Sequence, residues 1–289
     1  MHNNLMRKIT TYILALFSVI VLFSSCKKEY ETIETIDKRK IDEYIQKNNL
    51  QNVEPDGTGA FYQIIEQGTG DFLKNTDLVF YNFDIQSLSG VIYQSANALS
   101  NNGAYVGYVT SPAAFRPVML KVKRGAKVRI IIPSYLAFGK NGSGNIPSNE
   151  VIVSNLTIFS ETTQADIDDN RIKAFLTANN ITAAKHTSGV YYQVLTPGTG
   201  TDIIDEHSTL VVKYSGRLLD GTQFDSGDSY STKLTEVVLG WGEVIPLFKQ
   251  GAKVRIFIPS GLGYGPPGRG TIPSNAVLDF NIDITSVTK

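Results

Sequence analysis

One cysteine, Cys26, stands in 289 residues, so no intramolecular disulfide can form and a cysteine-rich metal site is excluded. Histidine is scarce as well: His2, His186 and His207 lie far apart, and neither a metal ion nor a cofactor is expected. Long runs of one charge are also missing, since 27 basic side chains are balanced by 27 acidic ones. Without a basic stretch to neutralise phosphates, nucleic acid is not an expected partner. What the chain does have is 42% hydrophobic residues, too many for low-complexity disorder, and a length suited to two domains with cores of their own.

The N-terminus reads as an address. Arg7 and Lys8 precede the apolar run 9–23, and Ser24, Ser25 and Cys26 follow it, the charged, apolar and small-residue order of a secretory signal. A membrane-spanning helix needs roughly 20 apolar residues, so this run is short for a permanent span. The cysteine after Leu22-Phe23-Ser24-Ser25 resembles a bacterial lipoprotein lipobox, although Phe23 stands where leucine is usual. That resemblance implies removal of residues 1–25, lipidation at Cys26, a tether over 26–35 and a soluble body anchored to a membrane of the cell envelope, periplasmic or at the outer membrane. Without Arg7 and Lys8 the remaining chain carries two fewer basic than acidic residues.

The body is a repeat. Gly125-Ala126-Lys127-Val128-Arg129-Ile130 recurs as Gly251-Ala252-Lys253-Val254-Arg255-Ile256, and the ungapped pairing of 125–158 with 251–284 holds about 20 identities in 34 positions. Upstream, Phe61-Tyr62-Gln63 answers Tyr191-Tyr192-Gln193. The expected organisation is a module over 36–160 and a second over 161–289. Each opens with apolar residues at helical spacing, Ile36, Ile41, Tyr44 and Ile45 in one and Ile167, Ile172, Phe175 and Leu176 in the other. Asp37 in the first, and Asp166 or Asp168 in the second, are candidate caps, with Asn48-Asn49 and Asn179-Asn180 as stops. Strand patterns follow at 189–195, 209–218, 252–259 and 276–287; the stretch 241–250 is a short helix candidate that Pro246 limits. A helix followed by mostly antiparallel strands around one short helix is an α+β module.

The second copy contains Val211-Val212-Lys213-Tyr214-Ser215-Gly216, Asp220-Gly221-Thr222-Gln223-Phe224-Asp225-Ser226, Glu236-Val237-Val238-Leu239-Gly240-Trp241 and Gly263-Tyr264-Gly265 with Ile272-Pro273. In order and spacing these motifs resemble the FKBP-type peptidyl-prolyl cis-trans isomerases, closely over 187–287 and more loosely over 60–160. The resemblance implies two domains, each an antiparallel sheet wrapped around a short helix. It implies that Trp241 floors a prolyl pocket and that Tyr214, Phe224, Val237, Val238 and Phe280 wall it. By the same resemblance Tyr264 donates to the substrate carbonyl, Ile272 lines the mouth, Asp225 organises its neighbours, and Tyr230 replaces another family aromatic in a segment, 227–235, shorter than is common. Gly263-Tyr264-Gly265-Pro266-Pro267-Gly268 also fits a dinucleotide fingerprint, but prolines there cannot donate amides to phosphate, and the run that follows is strand-like.

Such a pocket suits the reaction. The prolyl barrier of about 18–20 kcal/mol comes from amide resonance, and its rotation needs no acid, base, metal or covalent intermediate. A dry apolar site favours the twisted amide, whose carbonyl is less dipolar than the planar form. The implied substrates are proline-containing unfolded or folding polypeptides. In the first copy the alignment sets Tyr81 opposite Tyr214, Tyr93-Gln94 opposite Phe224-Asp225, Ser111-Pro112 opposite Val237-Val238, Phe115 opposite Trp241, Phe138 opposite Tyr264 and Ser154 opposite Phe280. That copy is expected to keep the fold with weak or no turnover. Its segment 95–110, without a clear counterpart in the second copy, is expected to cover its own altered groove. The competing reading is a non-catalytic peptide-binding or chaperone lipoprotein.

Overall fold

The computed structural model describes residues 31–201 and 203–289; the expected signal segment 1–25 and Cys26 lie outside them. The first helix, Ile33–Lys47, begins inside the stretch expected as tether, and its counterpart is Gln164–Ala178. Their caps are not the aspartates. Thr32 and Thr163 hold the N-cap positions, each hydroxyl oxygen accepting from a backbone N–H of the first turn, Thr35 and Asp166 respectively. Asp37 and Asp168 are instead buried, and each accepts two hydrogen bonds, from the backbone and hydroxyl of Ser134 or Ser260. The asparagine stops hold: Asn48 and Asn179 are C-caps, and Asn49 and Asn180 follow at positive φ, the left-handed conformation asparagine tolerates.

Each helix precedes a separate antiparallel sheet. The second sheet runs, in spatial order, Ala184–Lys185, Tyr191–Thr196, Lys253–Ile258, Leu278–Thr288, Thr209–Leu218 and Gln223–Lys233. The first follows the same path through Val53–Pro55, Phe61–Glu66, Lys127–Ile132, Ile152–Ile158, Leu78–Phe83 and Asn102–Tyr105, with the hairpin Ile85–Ser87 and Ile92–Gln94 added on Ile152–Ile158. Both modules are therefore the α+β type that the repeat implied.

Strand alternation explains the layering, because successive side chains point to opposite faces. Along Lys253–Ile258, Val254, Ile256 and Ile258 enter the core around the short helix Leu239–Val244, whereas Phe257 packs with Ile172 and Leu176 of the long helix. In the first module Val128, Ile130 and Ile132 face inward while Ile131 meets Ile41. The short helix ends at Val244 and continues as the 3-10 turn Ile245–Leu247, with Pro246 inside it.

Two expectations for the first copy are corrected. Strand register pairs Phe83, not Tyr81, with Leu156, as Tyr214 pairs with Ile282, so Phe83 is the true counterpart of Tyr214. The segment 95–110 also has a counterpart: Asn102 pairs with Tyr81 as Tyr230 pairs with Val212, so Asn102–Tyr105 is the equivalent of the strand end at Tyr230. Only the stretch ahead of Asn102 is extra, and its end reaches the second module. Leu99 packs against the core of the second module, and Arg171 reaches the backbone of Ser100.

Candidate active site

The concave side of the second sheet holds a cavity of about 740 Å³, and all ten residues assigned to the prolyl pocket line it. Tyr214 comes from the strand Thr209–Leu218, and Phe224, Asp225 and Tyr230 from its edge neighbour Gln223–Lys233. Val237 and Val238 precede the short helix that carries Trp241; Phe280 rises from Leu278–Thr288; Tyr264 and Ile272 belong to the loop between the last two strands.

Trp241 is 2% exposed. Tyr214 and Phe280 meet its indole edge to face, with centroids 5.7 and 5.4 Å away, and Phe224 stands against Phe280 at 5.5 Å in the same manner. Edge-to-face contacts of this kind add about 0.5–1.5 kcal/mol beyond burial. Trp241 Nε1 is buried without a partner among the described residues, a cost of roughly 1–3 kcal/mol that an entirely structural site would tend to avoid. Tyr230 crosses Tyr214 at 5.6 Å but is itself 41% exposed, so it stands at the rim.

The polar part of the site is small. The Tyr214 hydroxyl donates to Asp225 Oδ2 at 2.9 Å, and Asp225 Oδ1 accepts from the Ser226 N–H at 2.9 Å. Burial, followed by the hydrogen bond and charge of Asp225, pushes the Tyr214 phenol up to about 12. At neutral pH the phenol therefore stays a proton donor. Arg269 lies over the Tyr264 ring at 5.5 Å, and Tyr264 lines the opposite wall of the cavity.

Several lining residues escaped sequence reasoning. Glu236 closes the turn before Val237 by accepting from the Lys233 N–H, Leu239 projects 65% exposed at the rim, and Arg269, Gly270 and Thr271 complete the loop side. Gly216, behind the lining, is also informative: a Cβ there would stand 2.6 Å from Phe280 and 2.7 Å from Phe224, so only glycine lets both rings close over the sheet. The signal was the motif residue Gly216 itself, sitting inside a strand pattern.

The first module fills the same space differently. Ile85 occupies the register position of Gly216, and Ser154 replaces Phe280, its hydroxyl donating to the Asp84 carbonyl at 2.6 Å. Phe115 takes the place of Trp241 and is met by Phe83 at 4.9 Å. With Phe83 and Gln94 in place of Tyr214 and Asp225, the hydroxyl–carboxylate pair is gone.

A family model described as FKBP-type peptidyl-prolyl cis-trans isomerase matches residues 200–285. The FKBP-type isomerase FkpA of Aeromonas hydrophila is 41% identical over 111 residues, 35% of this chain and 39% of that protein. Human peptidyl-prolyl isomerase FKBP9 is 31% identical over 222 residues, 73% of this chain and 35% of the relative, so the match extends across both modules. The chain thus spans about two fifths or less of the length of these two relatives. Among solved structures, FkpA from Escherichia coli is 31% identical, with a TM-score of 0.39 covering 43% of this chain and 61% of that one. The aromatic motifs of the second module, its sheet wrapped over a short helix and the family match over residues 200–285 agree, so that region of the chain is similar to the FKBP-type peptidyl-prolyl cis-trans isomerases.

Proposed function

We propose that the second module, residues 161–289, isomerises X-Pro bonds in exported polypeptides, with no cofactor. The observation that carries this reading is the aromatic box: Trp241 beneath, Tyr214 and Phe280 edge-on to it, and one hydroxyl–carboxylate pair at its side. In this reading the prolyl ring rests on Trp241 between Phe224, Val237, Val238 and Phe280. Ile272 and Tyr230 bound the mouth, and Tyr264 donates to the carbonyl beside the proline.

Catalysis follows from differential solvation. The planar amide has the larger dipole and loses more on leaving water than the twisted one, so an apolar enclosure lowers the barrier. A reduction of roughly 8 kcal/mol would accelerate exchange about a millionfold. Unfolded chains hold about 10–30% cis at X-Pro bonds and exchange over tens to hundreds of seconds, a pool that such an activity would serve.

The first module, which opens with the helix Ile33–Lys47 and runs to residue 160, serves in this reading as a binding or spacing module without turnover, supported by its Phe83, Gln94, Phe138 and Ser154. Residues 1–25 are a signal segment and the stretch from Cys26 to the helix start at Ile33 a tether lipidated at Cys26, which holds the protein to a membrane of the bacterial envelope. No helix among the described residues is long and apolar enough to cross a membrane.

A protease-coupled proline-peptide assay on the full chain tests the activity. Turnover that falls by about fivefold or more in a Tyr264→Phe, Asp225→Ala double variant supports the second-module assignment. Background rates in the parent protein would leave the peptide-binding reading in its place. Undiminished turnover in the double variant would move the activity to the first module.

A further inference from the structure

The loop between the last two strands of the second module is tied to the first module, and among the described residues the tie has no counterpart on the other side of the repeat. Asn275 ends this loop at φ 55°, and its N–H donates to the Gly265 carbonyl, adjacent to Tyr264, at 3.0 Å. Its side-chain Nδ2 donates to the carbonyl of Asn101 of the first module at 3.1 Å. Arg171 bridges the same pair of segments, giving one guanidinium nitrogen to the Asn275 carbonyl at 3.1 Å and the other to the Ser100 carbonyl at 2.9 Å. Asn101 and Gln164 exchange two amide hydrogen bonds, at 2.8 and 3.2 Å, and Gln164 donates onward to the buried Asp168 at 2.9 Å. Asn101 and Asn275 are 2% and 5% exposed, and Leu99 closes the contact by packing on the second module's core.

The repeat supplies an internal control. In the first module Ser134 donates twice to Asp37 as Ser260 does to Asp168, and Asn149, also at φ 55°, donates to Gly139 as Asn275 does to Gly265. Yet Ile33 stands where Gln164 would, Lys40 where Arg171 would, and Asp37 Oδ1 is buried without a partner among the described residues. The shared aspartate–serine bond is thus a fold element, whereas among the described residues the Asn101–Gln164–Arg171–Asn275 network serves only the module with the aromatic pocket.

Resting on the isomerase reading above, we propose that residues 99–101 of the first module are an intramolecular latch that positions the pocket loop 263–275 of the second, making Asn101, Arg171 and Asn275 positioning residues for Tyr264 and Ile272. The first module then acts on turnover without the aromatic pocket of the second. The mechanical reasoning is direct: the loop is anchored at one end by Gly265 N–H to the Ser260 carbonyl, 2.9 Å, and at the other by Asn275. Releasing the second anchor leaves Tyr264 on a loop held at one end.

The test uses the full chain carrying Leu99→Asp, or Asn275→Gly, which keeps the positive φ and deletes the side chain. Asn149→Gly in the first module is the matched control for added glycine. Hydrogen exchange is read separately over 263–275 and over the strand Lys253–Ile258, alongside kcat/KM and Trp241 emission. Faster exchange confined to 263–275, with kcat/KM lower by about threefold or more and the Asn149→Gly protein unaffected in turnover, is the expected result. Unchanged loop exchange and turnover in both variants would overturn the latch while leaving the isomerase reading intact. Acceleration spread equally over Lys253–Ile258 would also overturn it, since the contact would then support the whole fold. A parent protein without turnover but with latch-dependent exchange would fail the isomerase reading and not the mechanical one.

Discussion

The Tyr214 hydroxyl donates to the Asp225 carboxylate across 2.9 Å, and the two positions are Phe83 and Gln94 in the first module. Asp225 is exposed, so solvent screens the pair and its contribution is set near 1 kcal/mol rather than the upper values for charged hydrogen bonds. Tyr214→Phe and Asp225→Ala should each lower kcat/KM by about fivefold. The double variant should lose little more than either single one, because both remove the same bond. Steady-state assays of the four proteins check this, and fully multiplicative losses would show that the two groups act separately.

Turnover should be flat from about pH 6 to about pH 9, since twisting an amide moves no proton and no general acid or base is used. The one strongly shifted pocket group agrees. Tyr214 is raised to about 12 from its ordinary value near 10, so its hydrogen bond is fully present below that ordinary value and is lost only as pH rises through about 12. A bell-shaped pH profile at saturating peptide would contradict the desolvation mechanism.

The pocket was legible because its residues come in linked motifs whose spacing survives without an alignment, from Tyr214 through Trp241 to Phe280. The register of the first copy was not. Tyr81 and Phe83 both face the core of Leu78–Phe83, so a slip of two residues keeps the inward face and leaves the hydrophobic pattern unchanged. Matching tyrosine to tyrosine therefore looked sound and was wrong. Helix caps failed for a related reason: Asp37 and Asp168 are good cap residues by type, but the nearby Thr32 and Thr163 fit the position, and the aspartates are drawn inward by Ser134 and Ser260. The contact of Leu99 and Asn101 with the second module had no local sequence signal, because it depends on the placement of two sheets far apart in the chain.

Acid should weaken the second module through Asp169. Burial pushes its carboxyl up, but hydrogen bonds from Lys173, Lys185 and Tyr191 outweigh burial and hold it down at about 2. A depressed carboxylate stabilises the fold above its ordinary value near 3.9, and that stabilisation fades as pH falls toward about 2. Thermal midpoints should therefore drop over this window in the parent protein. Asp169→Asn should be less stable at neutral pH and show a shallower acid slope. Identical slopes in the two proteins would remove Asp169 as a source of the acid sensitivity.

The two modules also differ by a reciprocal exchange of volume, Gly216 with Phe280 in one and Ile85 with Ser154 in the other. Gly216→Ile alone should force Phe280 and Phe224 apart, costing about 1–3 kcal/mol through overpacking. Phe280→Ser alone should cost about 3–5 kcal/mol through the space it leaves, as aromatic truncations in a core do. Together the two changes recreate the first module's arrangement, in which the serine hydroxyl reaches a strand carbonyl and isoleucine fills the void. The double variant should therefore be more stable than the sum of the two losses predicts, by about 0.5–3 kcal/mol, while its turnover stays at background. Urea unfolding of the full chain, followed by Trp241 emission, measures the coupling. Strict additivity would mean that the two pairs are not a volume exchange, because a true exchange requires each substitution to relieve the damage done by the other.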